Sequence, residues 1–368
     1  MQQLLQEKLK SYLSLLKQDE QNLNLLLEVS FLYSELDEIE QAQLYIDKAS
    51  TINREACIVP QGLLHFKQRQ LQEAIRFFLE ALEHEDDASV RYNLGLCYYL
   101  NEEAPKAWEA LSAIEDDEYL SVTRLLMARL LHQEGTLEEA IKLLEEHVPN
   151  YKEDSDVLGF LSLLYFDINE DETAKKLAQL TLQQDPDNYD AQVVDIMLRL
   201  ASQETNLEEI NHLLAINPED SRLWFALGST YMAQGDFPLA IEQYQKTLTI
   251  HPQFYDCYIA LAWSQLLNDE LNEAHETYQN AISLTEDIAD GWGGLAIIYA
   301  LNADLEKAKQ LIAKANELDK ECFLAEIAQT IYLNHANPEQ AQQQLLSVLI
   351  DANLPVSKKL ASIIEELM

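Results

Sequence analysis

The sequence predicts an all-α fold, an α-solenoid in which one two-helix unit is repeated along nearly the whole chain. Its 368 residues include only nine Gly and nine Pro, few turn formers for this length, which favours helices. Alanines also recur at steps of 32 to 34 residues, with one doubled step of 66, and this period is typical of stacked helix pairs. These alanines are Ala42, Ala74, Ala107, Ala140, Ala174, Ala240, Ala274, Ala308 and Ala341.

The pattern divides the chain into three segments. Residues 1–22 are predicted to form an N-terminal capping helix, because Leu5, Leu9 and Leu16 lie on one helical stripe. Residues 23–354 contain ten repeats, and residues 355–368 are predicted to form a C-terminal capping helix of the same amphipathic kind. A solenoid needs such capping helices over its end repeats. The alternative role for both terminal helices is dimerisation.

Close packing explains why the alanines recur. A small residue on the second helix of a pair lets the first helix approach, and a larger apolar side chain four residues later fills the space beside it. The glycines Gly62, Gly95 and Gly228 stand at the matching point of close approach on the first helices.

Most prolines fall at ends of the predicted helices. Pro105, Pro238 and Pro338 stand where second helices should start, a position that tolerates the missing N–H. Pro60 instead lies five residues into a predicted first helix, so we expect that helix to start late or to kink.

The sixth repeat, about residues 187–220, departs from the pattern. Asn206 stands where its packing alanine is expected, and its second helix is short and polar. Coupling between neighbouring repeats should therefore be weakest near residues 200–212, where we expect the solenoid to divide into two cooperative blocks.

One segment, SRLWFALGSTYMAQGDFPLAIEQYQKTLTIHP, resembles the tetratricopeptide repeat. The resemblance implies a right-handed superhelix whose first helices line a concave groove that holds a peptide or partner segment. In some members of this family, Lys, Asn and Arg of the groove grip the C-terminal carboxylate of a heat-shock chaperone. This sequence has Leu27, Phe31 and Tyr92 at such places, so we expect no carboxylate clamp. The residues that carry the resemblance are Trp224, Leu227, Gly228, Tyr231, Ala240, Tyr244 and Pro252.

Charge and motifs disfavour several function classes. A formal net charge of −39 and a pI near 4.3 disfavour binding to nucleic acid or to an anionic membrane, because like charges repel. The sequence has no HExxH, GxSxG or P-loop motif and no run of about 18 apolar residues. We therefore expect no catalytic residues, no cofactor, no metal site and no membrane insertion.

The cysteines indicate the compartment. They are scattered singly, whereas disulfides or a zinc site would need closer grouping, so the pattern favours buried, reduced thiols in a cytoplasmic protein. The N-terminal segment also lacks the unbroken apolar core of a secretory signal. The four cysteines are Cys57, Cys97, Cys257 and Cys322.

The candidate partner site is the first-helix face of the seventh to ninth repeats. Its usually polar places are apolar or small here, and an exposed apolar surface indicates a binding site unless something covers it. Trp263 is a typical interface anchor. Gly293 and Gly294 each cost about 1 kcal/mol within a helix, which is often tolerated where another group must come close. The alternative is close packing of the solenoid on itself, or cover by the C-terminal helix. The site comprises Phe225, Ser229, Ile259, Trp263, Leu267, Gly293, Gly294 and Ile297, with Phe160 and Leu163 of the fifth repeat as a further part.

The charge around this site indicates the kind of partner. Between residues 223 and 306 there are twelve acids and one basic residue, Lys246. An acidic rim around an apolar groove matches a basic or amphipathic segment of a protein or peptide. The sequence thus predicts a non-catalytic protein-interaction scaffold or adaptor. Two alternatives stay open: a chaperone for an aggregation-prone or secreted client, and a regulatory subunit of a separate enzyme.

Overall fold

The computed structural model describes residues 2–115, 119–147, 153–200 and 205–351. These residues form 21 α-helices and one short 3-10 helix at Glu55–Cys57, and none of them lies in a strand. Every helix in the described ranges is too short or too polar to pass through a bilayer. The α-helices are α1 Gln2–Leu16, α2 Leu23–Glu35, α3 Ile39–Ser50, α4 Ile58–Lys67, α5 Leu71–His84, α6 Ala88–Leu100, α7 Ala104–Ser112, α8 Leu120–Gln133, α9 Leu137–His147, α10 Ser155–Asp167, α11 Asp171–Gln184, α12 Tyr189–Arg199, α13 Leu207–Ile216, α14 Ser221–Gln234, α15 Phe237–Ile250, α16 Tyr255–Leu267, α17 Leu271–Leu284, α18 Ala289–Leu301, α19 Leu305–Leu318, α20 Phe323–Asn334 and α21 Pro338–Asp351.

The helices after α1 follow one another in pairs, as the repeat pattern predicts. The even-numbered helices α2 to α20 are the first helices of ten repeats, and the odd-numbered helices α3 to α21 are the second helices. The nine recurring alanines each occupy the fourth residue of a second helix, and all of them are fully buried. This confirms their predicted packing role.

The turn inside most pairs repeats as faithfully as the helices. One residue in the left-handed conformation precedes the N-cap of the second helix, with φ of 59 to 64° for non-glycine residues and 75 to 76° for glycine. The next N–H then bonds a carbonyl five residues back, as from Asp236 to Tyr231 (2.9 Å). The residues in this conformation are Asp37, Arg69, Glu102, Gly135, Asn169, Gly235, Asp269 and Ala303.

The first-helix glycines lie at points of close approach, as predicted, and the structure shows which side chains they meet. A Cβ atom added at Gly228 would lie 2.7 Å from the ring of Tyr244. The corresponding distances are 2.8 Å from Gly62 to Phe78 and 2.6 Å from Gly95 to Leu111. A real Cβ does not tolerate these distances, so glycine at these places lets the two helices of a pair approach.

The helix that contains Pro60 starts late, as predicted. The 3-10 helix at Glu55–Cys57 precedes α4, which begins at Ile58. Pro60 is therefore the third residue of α4, where its missing N–H interrupts no hydrogen bond within the helix.

The prediction that Asn206 replaces the sixth alanine is wrong. Asn206 is the N-cap of α13, and its side chain accepts a hydrogen bond from the N–H of Glu208 (2.9 Å). The fourth residue of α13 is Ile210, which is fully buried. Ile210 lies 36 residues after Ala174, two more than the longest step between neighbouring alanines, so the packing residue of this repeat is displaced along the chain. Val194, at the corresponding first-helix place, is also fully buried, so two large side chains stand where other repeats carry small ones.

The chain forms two compact units, residues 1–188 and 189–368. Their boundary lies at the start of α12, and the expected weak coupling near residues 200–212 stays a prediction. In the first unit, α1 packs on α2 through Leu9, Val29 and Leu32. The predicted C-terminal cap at 355–368 lies outside the described residues.

Candidate functional site

The predicted site lies on three first helices of the second unit, α14, α16 and α18. We call their shared surface the seven-to-nine face and define it by Phe225, Ser229, Ile259 and Trp263, which are all half-buried. Phe225 and Ser229 are four residues apart on α14, and so are Ile259 and Trp263 on α16, so each pair lies on one side of its helix.

The second helix α15 holds the α14 part of this face in place. The ring centre of Phe225 lies 5.6 Å from that of Tyr244 and 4.9 Å from that of Phe254. The Tyr244 hydroxyl donates a hydrogen bond to the Ser229 hydroxyl oxygen (3.1 Å). Phe225 and Ser229 are therefore fixed by contacts within the chain and present only part of their surface to a partner.

Trp263 reaches from the eighth repeat to the tenth. Its ring centre lies 6.1 Å from that of Phe323, with the rings at 79°, an edge-to-face contact. Trp224 and Trp292 donate their indole N–H groups to the carbonyls of Pro218 (2.8 Å) and Glu286 (2.9 Å). The indole N–H of Trp263 has no acceptor within the described ranges, which leaves it available for a partner.

The glycine pair of α18 serves packing within the chain. A Cβ atom at Gly293 would lie 2.7 Å from the backbone nitrogen of Ala325, on α20. At Gly294 it would lie 2.2 Å from the ring of Tyr278, on α17. Neighbouring helices thus occupy the space over both glycines, which supports close packing, the alternative that the sequence left open.

Four further residues of the predicted site are also buried. Ile297 is 0% exposed and Leu267 is 9% exposed. On α10, Phe160 and Leu163 are 1% and 2% exposed. The Phe160 ring is covered by the guanidinium of Arg129, 4.3 Å from its centre. Their side chains therefore belong to the core rather than to an accessible surface.

Two carboxylates at the start of α16 and α18 carry the electrostatics of the face. Asp256 precedes Ile259 and Trp263 by three and seven residues, on the same side of α16. Desolvation raises the pKa of Asp256, and burial followed by repulsion from Asp256 raises the pKa of Asp290. Neither residue belongs to the site predicted from the sequence, although their spacing of 34 residues, one repeat, is visible there.

The basic residues of α14 and α15 are already engaged within the chain, and Arg222 pairs with Asp220 (3.1 Å). Lys246 forms an ion pair with Glu242 (2.9 Å) on its own helix and lies 4.6 Å above the ring of Trp224. This end of the face therefore keeps its negative charge, which a cation from outside would relieve.

The four cysteines are free and buried, as predicted. Burial raises the pKa of the Cys97 and Cys257 thiols to about 12 and that of Cys322 to about 11. At neutral pH they are thus protonated and unreactive. Among the described residues, no three His, Cys, Asp or Glu side chains are grouped so that they could hold a metal ion.

Comparisons with known proteins agree with the repeat pattern. Two family models, both described as tetratricopeptide repeat, match residues 59–119 and 221–254. No curated protein matches the sequence.

Three solved structures are similar to this chain. The first is the APC/C hetero-tetramer Cut9-Hcn1, at 18% identity and a TM-score of 0.47, over 95% of this chain and 76% of that one. The second is YrrB, described as a TPR protein with an unusual peptide-binding site, at 21% identity and a TM-score of 0.38, over 49% and 95%. The third is Pseudomonas aeruginosa pilF, at 17% identity and a TM-score of 0.42, over 58% and 100%.

Proposed function

We propose that this tetratricopeptide-repeat protein is a non-catalytic scaffold, since such repeats are protein–protein interaction domains. In this proposal its seven-to-nine face binds a basic, amphipathic segment of a partner protein. The observation that carries the proposal is the row on α16. Asp256, Ile259 and Trp263 combine, on one side of one helix, a carboxylate, an aliphatic side chain and an indole with a free N–H.

The apolar part of the row supplies affinity. Trp263 and Ile259 are half-buried, so a partner would remove their remaining surface from water at about 25 cal/mol per Å². Because Phe323 holds the indole edge-on, its orientation is set before binding, and little side-chain freedom is lost on association. A buried tryptophan of this kind typically contributes about 2 kcal/mol or more, roughly a thirtyfold change in affinity.

The carboxylates select the charge of the partner. Asp256 and Asp290 repel each other, and a Lys or Arg of a partner would replace this repulsion with attraction. Complementary charge mainly speeds the encounter, so added salt should slow association more than it hastens dissociation.

The experiment is a pull-down from native lysate with the full chain and two tryptophan variants. Trp263→Glu should lose the partners that the unchanged chain captures. Trp108→Glu is the matched control, because Trp108 is 37% exposed on the second helix α7 of the other unit. Circular dichroism should show that both variants keep their helices. If Trp263→Glu folds and still captures the same partners with unchanged affinity, the site lies elsewhere.

A further inference from the structure

A groove of about 1150 Å³ lies in the first unit, between α1 and α3 with α2 beneath them. The α1 wall carries Leu9, Lys10 and Leu13, and Lys17 follows directly after the helix, its N–H bonded to the Leu13 carbonyl (3.3 Å). This groove is separate from the seven-to-nine face and has no part in the proposed function.

The groove is apolar at its base. Leu9 is buried, and Leu13 and Tyr45 are half-buried along the groove. Ile52, on the turn after α3, is 44% exposed at its edge. These apolar side chains are partly exposed to water in a concave groove. The apolar side of another helix can cover them there.

The charge of the groove is opposite to that of the chain as a whole. Lys10 lies on α1 and Lys17 directly follows its last residue, about 10 Å further along the axis, and neither forms an ion pair within the described ranges. Lys48 joins them from α3, where its ammonium lies 4.5 Å above the ring of Tyr45.

Two acids, Glu20 and Glu38, also line the groove, so its cations outnumber its acids by three to two. The full chain has 64 acids and only 25 basic residues. The lining of this groove thus differs in sign from the net charge of the chain as a whole.

We infer that this groove is a docking site for an acidic, amphipathic helix of a partner protein. The apolar side of that helix covers Leu13 and Tyr45, and its Glu or Asp side chains pair with Lys10, Lys17 and Lys48. Unpaired lysines beside a low-dielectric floor attract carboxylates more strongly than fully solvated lysines do. The first unit thus takes a partner of opposite charge to the one that the seven-to-nine face selects.

The test uses the full chain and a labelled helical peptide of about 15 residues, the length of α1, with leucines on one side and glutamates on the other. Fluorescence anisotropy at low salt should show saturable binding. Lys10→Glu/Lys17→Glu should weaken it about tenfold or more. Lys175→Glu/Lys176→Glu, a matched change of charge at two exposed lysines of α11, should leave it unchanged.

A second variant tests the apolar part of the groove. Ile52→Asp changes an exposed side chain and should also weaken binding by several fold without loss of helix. Equal binding by the unchanged chain and the Lys10→Glu/Lys17→Glu variant would overturn the inference, as would the absence of saturable binding. If sedimentation shows dimers that the double variant abolishes, the occupant is a second copy of this chain, and the inference of a separate acidic partner is wrong.

Discussion

Replacing Tyr278 with Phe is expected to stabilise the protein, whereas the same change at Tyr244 is expected to destabilise it. The two tyrosines occupy the same place in neighbouring repeats, four residues after Ala274 and Ala240, and both are fully buried. The Tyr244 hydroxyl donates to Ser229 (3.1 Å), whereas that of Tyr278 has no partner among the described residues.

The repeat period explains this difference. Counting 34 residues on from Ser229 leads to Trp263, which has no hydroxyl oxygen to accept the hydrogen bond of Tyr278. The Tyr278 ring also lies against Gly294, so it is enclosed on that side as well. The eighth repeat thus has Trp263 at the place where the seventh has Ser229, and the Tyr278 hydroxyl in the core is left without a hydrogen-bond partner among the described residues.

The magnitude follows from ordinary hydrogen-bond energies. A buried hydroxyl without a partner costs about 1–3 kcal/mol, and a satisfied one contributes about 1 kcal/mol net. Tyr278→Phe should therefore raise the free energy of unfolding by about 1 kcal/mol, and Tyr244→Phe should lower it by about 1 kcal/mol. For a unit of this size, each such change shifts the melting temperature by about 2–4 °C.

Urea unfolding followed by circular dichroism measures both variants beside the unchanged chain. Both substitutions remove one oxygen from the same place in a repeat, so effects on the unfolded chain should cancel between them. A fall in stability on Tyr278→Phe equal to that of Tyr244→Phe would refute the reasoning, because it would show that the Tyr278 hydroxyl is hydrogen-bonded.

Three further results are expected. Gly293→Ala should lower the free energy of unfolding by about 1 kcal/mol, because overpacking against α20 costs about 1–3 kcal/mol and the higher helix propensity of alanine returns about 1 kcal/mol. A higher free energy of unfolding, measured with urea, would contradict the close approach of the two helices. Asp290→Asn should raise the urea midpoint near neutral pH. Burial raises the pKa of the Asp290 carboxyl, so the folded state binds its proton more tightly than the unfolded state does, and the stability that this proton contributes is lost as pH rises through the folded pKa. The stability gained by Asp290→Asn should therefore shrink as the pH falls towards about 4. A gain that is the same at both pH values would contradict this explanation. Amides of α13 should exchange with solvent faster than those of α15, because Val194 and Ile210 replace small packing residues; equal protection would show that the sixth repeat is not weak.

The repeats themselves could be predicted from the sequence because their rules are local. An alanine at the fourth residue of nine of the ten second helices, and a glycine opposite Phe78, Leu111 or Tyr244, are constraints between residues that are close along the chain. The error at Asn206 arose where the segment between helices changed length. Asparagine suits an N-cap, and only the observed start of α13 shows that Ile210, not Asn206, holds the packing place.

The candidate site could be predicted only in part. Composition indicated an apolar first-helix face, and its half-buried members Phe225, Ile259 and Trp263 are indeed partly accessible. Composition did not separate them from Ile297 and Phe160, which are buried. The sequence shows the same apolar residue on the inner side of a first helix whether a neighbouring helix buries its side chain or leaves it exposed to water.

The sequence by itself determined the fold class, the repeat period, the reduced cysteines and the sign of the net charge. These follow from residue types and from spacings of at most one repeat. Tertiary structure alone decided which surfaces stay open, where Gly293 meets Ala325, and that Asp256 and Asp290 repel each other. The physical reason is that solvation and close approach depend on the distances between packed helices, which residue types and their spacing do not give.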